Sequence, residues 1–252
     1  MKKNNFQLPK LEIVSEFFLI ILILFTIAFS FKWSELNNQN ESINILISKT
    51  NVIQNNSYQK YVNDLWIDEK MTYALFKKTI EEHPYIKAAR VSKHFPEKIH
   101  VEIIERNPIA YLNTDPMIFL DSEAYILPNQ NYNEYINLPI LTSINPNKDL
   151  YPIGNKVISK NITKCISLLS AIKNQYGSLY ENISEIKMSS NENIEIILSD
   201  EPTHIYFGNT NINDRIKHLV EFSKLLKPKS LSNFIYLDMR FDNQIIAKER
   251  FI

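Results

Sequence analysis

Five histidines, one cysteine and a scattering of carboxylates are the residues of this chain that could do chemistry, and their spacing decides little in favour of it. His83, His94, His100, His204 and His218 include no pair at the i, i+4 spacing that puts two ligands on one helix face. His94 and His100 flank a short turn and could share a metal; the simpler reading is two surface histidines. There is no Gly-x-Ser-x-Gly, His-Glu-x-x-His or Cys-x-x-Cys. Cys165 is the single cysteine, so no internal disulfide can form, and a thiol nucleophile would need a histidine that no spacing nominates. Its position on the border of an apolar helix face reads as a small buried hydrophobe. Two charged pairs stand out. Glu105 and Arg106 close a strand, as a structural ion pair or a functional one. Asp238 and Arg240 fall on the same face of a late strand, with Arg240 either structural or aimed at a partner.

Composition removes further classes. The three glycines, Gly154, Gly177 and Gly208, are isolated, so no phosphate cradle or dinucleotide turn is available. Charge is balanced at 28 basic against 28 acidic residues, which gives no electrostatic reason to expect nucleic acid. We therefore expect no catalytic residues, no cofactor, no metal and no small-molecule substrate.

The elements that would position any site begin with Phe17–Phe31, fifteen residues without a charge. Taken from Ile13, the run would make a helix of roughly 28 Å, close to the thickness of a bilayer's hydrocarbon. Lys2, Lys3 and Lys10 precede it, which favours an N-terminus on the cytoplasmic side. The expectation is a tail at 1–12, a single membrane-spanning helix at 13–32 and the bulk of the chain beyond the membrane. The alternative is a cleaved signal peptide, for which Ala28-Phe29-Ser30 offers a small-x-small site.

Residues 42–53 alternate as a strand, and Tyr58–Leu65 can hold a short helix. Asp68 to Glu82 carries Tyr73, Phe76 and Ile80 on one helical face and stops at His83-Pro84. Tyr85–Lys93 and Lys98–Arg106 read as strands joined at Phe95-Pro96-Glu97. This is a β-α-α-β-β unit with helices on one face of a small sheet.

His83 to Val91, Phe95-Pro96, the Ile99–Ile104 strand and Glu105-Arg106-Asn107-Pro108-Ile109-Ala110 resemble the POTRA domain of the FtsQ/DivIB family of bacterial cell-division proteins. Ser48-Lys49 and Asp121-Ser122-Glu123-Ala124 depart from it by lacking glycines the family favours. After Asp115 the pattern turns to β. A hairpin is expected at Met117–Leu120 and Tyr125–Leu127, a loop at Asn129–Asn133 and a strand at Leu138–Thr142. A helix is expected at Ser159–Tyr176, then strands at Ile183–Met188, Ile194–Leu198 and Thr203–Phe207. A second helix, capped by Asn211 or Asn213, runs to Lys227. Phe234–Phe241 and Gln244–Lys248 close the sequence, turning at Asp242-Asn243. Ile235 to Phe241 resembles the family's "isoleucine-aspartate-leucine-arginine-aromatic" strand.

The expected fold class is α+β: the membrane helix, a POTRA domain at 42–110, and a mainly antiparallel β domain with two helices at 111–252. The last strand, if it lies at a sheet edge, leaves backbone groups free to accept another chain's strand. The resemblance implies a bitopic inner-membrane scaffold of the divisome, with its bulk in the periplasm, at the septum. It implies that FtsB- and FtsL-type partners bind at Arg240, Phe241, Ile245, Ile246 and Lys248. A reading from another class is a secreted or anchored hydrolase whose site the sequence does not disclose. A third, a POTRA-bearing outer-membrane transport protein, would need an array of ~10-residue barrel strands that is not seen here.

Overall fold

The computed structural model describes residues 10–38, 44–48, 50, 52–66, 71–94, 98–129, 137–189 and 193–250. The helix start expected at Asp68, the turn at Phe95-Pro96-Glu97 and most of the loop after Asn129 lie outside them. By contacts the chain divides into two units, residues 1–45 with 93–99, and residues 46–92 with 100–252.

The first unit contains α1 (Lys10–Asn38). Among the described residues no helix is long and apolar enough to cross a membrane. Side chains of α1 are described from Phe18 to Trp33, and the large apolar ones among them are exposed, from Ile23 at 48% to Phe31 at 75%. Phe25, Phe29 and Trp33 stack along one side at i, i+4 spacing.

The second unit holds most of a three-stranded sheet in the order β1-β3-β2, formed by β1 (Asn44–Ile47), β2 (Ile86–His94) and β3 (Lys98–Glu105). Two helices, α2 (Asn55–Leu65) and α3 (Tyr73–Ile80), pack on it. Their buried residues, Tyr58, Val62, Phe76 and Ile80, sit at 3.6-residue spacing. The helix expected from Asp68 begins instead at Tyr73, because the Thr72 hydroxyl accepts from Leu75 N at 3.3 Å and caps it there. Tyr73, placed on the inner face by periodicity, is exposed in this first turn.

A nine-stranded sheet forms the rest, in the order β12-β11-β10-β9-β8-β7-β4-β5-β6. Its strands are β4 (Pro108–Leu112), β5 (Ile118–Asp121), β6 (Ile126–Leu127), β7 (Ile140–Thr142), β8 (Ile183–Met188), β9 (Ile194–Leu198), β10 (His204–Gly208), β11 (Phe234–Asp238) and β12 (Ile246–Glu249). The long helices α4 (Lys160–Gln175) and α6 (Ile212–Leu225) cover one face, with the short α5 (Gly177–Glu181) between α4 and β8. The core joins Ile166, Leu169 and Ile172 of α4 and Ile216 and Leu219 of α6 to Ile186, Ile196, Ile205 and Leu237 of the sheet.

Among the described residues the sheet is mainly antiparallel, as expected, in five of its eight pairings. It also carries three parallel pairs that were not expected, β4–β7, β7–β8 and β10–β11. The cause is connectivity. Parallel neighbours need a crossover of a dozen or more residues: α4 lies in the β7–β8 connection, α6 in the β10–β11 connection, and β5 and β6 in the β4–β7 connection. Among the described residues this part holds three α-helices, not two, since α5 was not expected. And β4 was missed as a strand: Pro108, Ile109, Ala110 and Leu112 are all buried, so the segment lacks the alternation of a half-exposed strand. Asn211 does stand before α6, but with φ of 51° and no side-chain cap.

Candidate partner-binding edge

The two ends of the large sheet are finished differently. At the β6 end the chain covers its own edge. Ile126 N donates to Asn155 O at 2.9 Å, Gly154 N to Ile126 O at 2.8 Å and Val157 N to Ala124 O at 2.9 Å. At the other end, β12 pairs with β11 alone among the described residues, and all four of its residues are exposed.

The direction of the β12 amides follows from the ladder. Arg250 N donates inward to Asn233 O at 2.8 Å. Backbone groups alternate along an antiparallel strand, so Lys248 and Ile246 also face β11, while Ala247 and Glu249 direct N–H and C=O outward. β12 therefore presents an outward-facing ladder of the kind that accepts an added strand.

Of the five residues implicated by the resemblance, only Ile246 and Lys248 lie on β12. Ile246 is 41% exposed. Ile245 packs against the core. Phe241, 46% exposed, stands in the bend between β11 and β12. Arg240 is turned back on its own chain: Nε and Nη2 donate to the two Asp238 carboxylate oxygens at 2.9 and 2.6 Å, and its guanidinium lies 5.4 Å from the Tyr206 ring. The exposed turn at Asp242-Asn243 puts Asn243 at φ 58°, a conformation asparagine tolerates. Sequence reasoning missed Ala247 and Glu249, since outward direction is a property of register and not of residue type.

The Asp238 carboxyl is held below the usual carboxylate range, first by the Arg240 side chain and then by the Arg240 N–H, against the opposing effect of burial. A depressed folded-state pKa contributes stability that is present above the unfolded value near 4 and is lost as pH falls through the folded value. Glu123 is lowered as well, chiefly by Lys87. We expect the unfolding midpoint in denaturant to drop as pH is lowered below about 4, and Asp238→Asn to flatten part of that slope. An identical pH profile for the variant would remove Asp238 from the account.

The other candidates resolve into structure. Glu105 accepts from Val52 N and Ile53 N at 3.0 and 3.1 Å, tying the segment before α2 to the end of β3. Burial and the Glu105 carboxylate push the Tyr58 phenol upward. Arg106 turns the other way, donating from Nη1 to Asp121 at 2.7 Å and Glu123 at 3.2 Å, with its guanidinium 3.5 Å from the Tyr125 ring centre. Glu105 and Arg106 thus serve different neighbours.

Cys165 is buried beside a cavity of about 410 Å³ lined partly by Leu141, Ile144, Tyr151 and Met188. Burial pushes its thiol up to about 12, so it is protonated and unreactive near neutral pH. His204 Nδ1 lies 2.5 Å from Glu195, and the partly buried His83 ring packs on Tyr58 and Tyr61. The His94 side chain lies outside the described residues. Among the described residues no three histidine, cysteine or acidic side chains come together as a metal site would require.

Two family models match, one over the small β-α-α-β-β unit and one over the large sheet with its helices. Residues 43–106 match the POTRA domain, FtsQ-type, and residues 107–248 match "FtsQ/DivIB, C-terminal related". The chain belongs to the FtsQ/DivIB family. Among curated relatives it is similar to the cell division protein FtsQ of Syntrophotalea carbinolica, 23% identical over 169 residues that cover 67% of this chain and 59% of that one. It is also similar to the FtsQ of Geotalea daltonii, at 20% identity over 172 residues, 68% of this chain and 61% of that one. The cell division protein DivIB of Clostridium tetani is 25% identical over 193 residues, 73% of this chain and 70% of that one. The chain thus spans about 60% of the length of these two FtsQ relatives.

Proposed function

We propose that this protein is a non-enzymatic assembly component of the cell-division machinery, and that it recruits its partner by accepting a strand at β12. The observation that carries this reading is the difference between the sheet's two edges, one covered by residues 154–157 and the other without a further strand among the described residues. An open edge is an association hazard unless something uses it.

The proposed partners are FtsB- and FtsL-type proteins, with the FtsB-type chain supplying the strand and the assembly helping to control septal peptidoglycan synthesis. The proposed location is the inner membrane, with α1 as a single-pass anchor, the N-terminus cytoplasmic and the remainder periplasmic. Support for the anchor is the exposure of the apolar side chains described from Phe18 to Trp33, since a helix apolar on every side needs an apolar surround. No described helix is by itself long and apolar enough to span, so the proposed span draws on the sequence from Ile13 as well. Within the chain, the proposed boundary between the POTRA unit and the β domain falls between Arg106 and Asn107, because β4 already belongs to the large sheet.

The test uses the purified full chain and the purified FtsB-type and FtsL-type ectodomains encoded in the same genome. Phe241→Ala with Ile246→Asp should weaken binding by on the order of tenfold or more, since exposed apolar side chains beside an added strand supply its specificity. Unchanged affinity would remove the β12 edge from the proposal.

A further inference from the structure

Arg215 lies in the first turns of α6 and is buried, at 6% exposure. The direct hydrogen-bond partners of its guanidinium are backbone and hydroxyl oxygens, and the Asp238 carboxylate acts on it through space. Nη1 donates to Phe207 O, and Nη2 donates to Thr210 Oγ1 at 3.2 Å and to Arg240 O at 3.0 Å. Burying a guanidinium that hydrogen-bonds no carboxylate directly costs free energy relative to a hydrophobe of similar reach, offset in part by the nearby Asp238 charge. Its effect must therefore be sought in what it holds in place.

It holds two strand ends together. Phe207 is near the end of β10, and Arg240 lies two residues beyond the end of β11. The segment after β11 is fixed at three successive points. Arg240 N donates to Asp238 Oδ1 at 3.0 Å, Met239 N donates to Tyr206 O at 2.9 Å, and Arg240 O accepts from Arg215. From this pinned bend the chain turns through Phe241–Asn243 and enters β12. Gly208 leaves room for the arrangement: a Cβ there would stand 2.5 Å from Arg215 Nη1, and its φ of +72° disfavours any side chain.

We infer that Arg215 is a positioning residue for partner docking: from a helix away from the edge, it pins the bend that aims β12 and so presents the outward amides of Ala247 and Glu249 in line for an incoming strand. The inference rests on the docking reading of β12. It makes the register of the edge depend on a buried group that an edge-bound partner need not touch.

The test compares the wild-type full chain with Arg215→Met, which keeps the aliphatic reach and loses every donor, and with Arg215→Lys, which keeps a charge but not the forked geometry. Gly208→Ala displaces the guanidinium by a separate route. Three quantities are read: amide hydrogen exchange over Ile246–Glu249, exchange over Ile194–Leu198 in β9, and affinity for the FtsB-type ectodomain. For Arg215→Met and Gly208→Ala we expect exchange in β12 to rise about tenfold or more, exchange in β9 to stay within about twofold, and affinity to fall about tenfold. Arg215→Lys should lie between these and wild type.

Wild-type exchange and affinity in Arg215→Met would overturn the inference. So would a rise in β9 exchange that matches the rise in β12, because Arg215 would then be a general stabiliser. If Arg215→Met does not fold, the lysine variant decides by the same criteria. Absence of binding by the wild-type chain would sink the docking reading itself, whereas binding that Arg215→Met equals would sink only the positioning role.

Discussion

Ala247→Pro is expected to lower affinity for a strand-donating partner by on the order of 100-fold, while the melting temperature moves by only a few degrees. The separation follows from the ladder. Arg250 N faces inward to Asn233 O, so Ala247 N faces away from β11 and makes no bond that the isolated fold needs. Proline is tolerated on an edge strand where its missing N–H would point to solvent. The incoming strand loses a donor and meets the pyrrolidine ring where its own carbonyl should approach. A melting loss as large as that of a core mutation would show that the Ala247 amide faces inward. Full affinity with normal melting would show that the partner binds elsewhere. Both are read by calorimetric unfolding beside a titration with the partner ectodomain.

Asp121→Ala is expected to destabilise the fold by about 3–4 kcal/mol, measured by chemical denaturation. Asp121 is 3% exposed and accepts three hydrogen bonds, from Arg106 Nη1 at 2.7 Å, Glu123 N at 2.9 Å and Tyr125 N at 2.8 Å. Its removal orphans the two turn amides and leaves the nearly buried Arg106 guanidinium with the Tyr125 ring and the exposed Glu123 carboxylate. Arg106 N also donates to Tyr85 O at 2.8 Å, and Tyr85 donates its hydroxyl to Pro128 O at 2.5 Å. The Arg106–Asp121 pair thus sits where the POTRA unit passes into the β domain. Asp121→Asn keeps an acceptor and should lose less. A loss under about 1 kcal/mol for the alanine variant would mean that Glu123 and solvent replace Asp121 completely.

Strand and helix identity were legible wherever one face is wet. β8 and β9 fall where alternation puts them, and α4 carries Ile162, Ile166, Leu169 and Ile172 inward as its period requires. Pattern failed where both faces are dry, as in β4, whose Pro108 and continuous apolar run give no period to read. It failed also where neighbours matter more than faces. Helices of crossover length between β7 and β8, and between β10 and β11, implied parallel pairs that the alternation of single strands does not reveal.

The sequence pointed to the strand that forms the candidate edge, but not to how its residues are arranged. Ile246 and Lys248 reach the edge, but Ile245 turns inward and Arg240 is taken by Asp238. Arg215 carried no signal, because a charged residue early in an amphipathic helix reads as solvent-facing. Its burial depends on the ends of two strands, one nearby in sequence and one 25 residues away.

The most direct test of the open edge is backbone amide exchange at Ala247 and Glu249, resolved by residue, in the free chain and in complex with the FtsB-type ectodomain. Fast exchange in the free protein, with strong protection of both amides on binding, is the predicted result. Equal exchange in the two states, with the complex demonstrably formed, would contradict strand addition at β12.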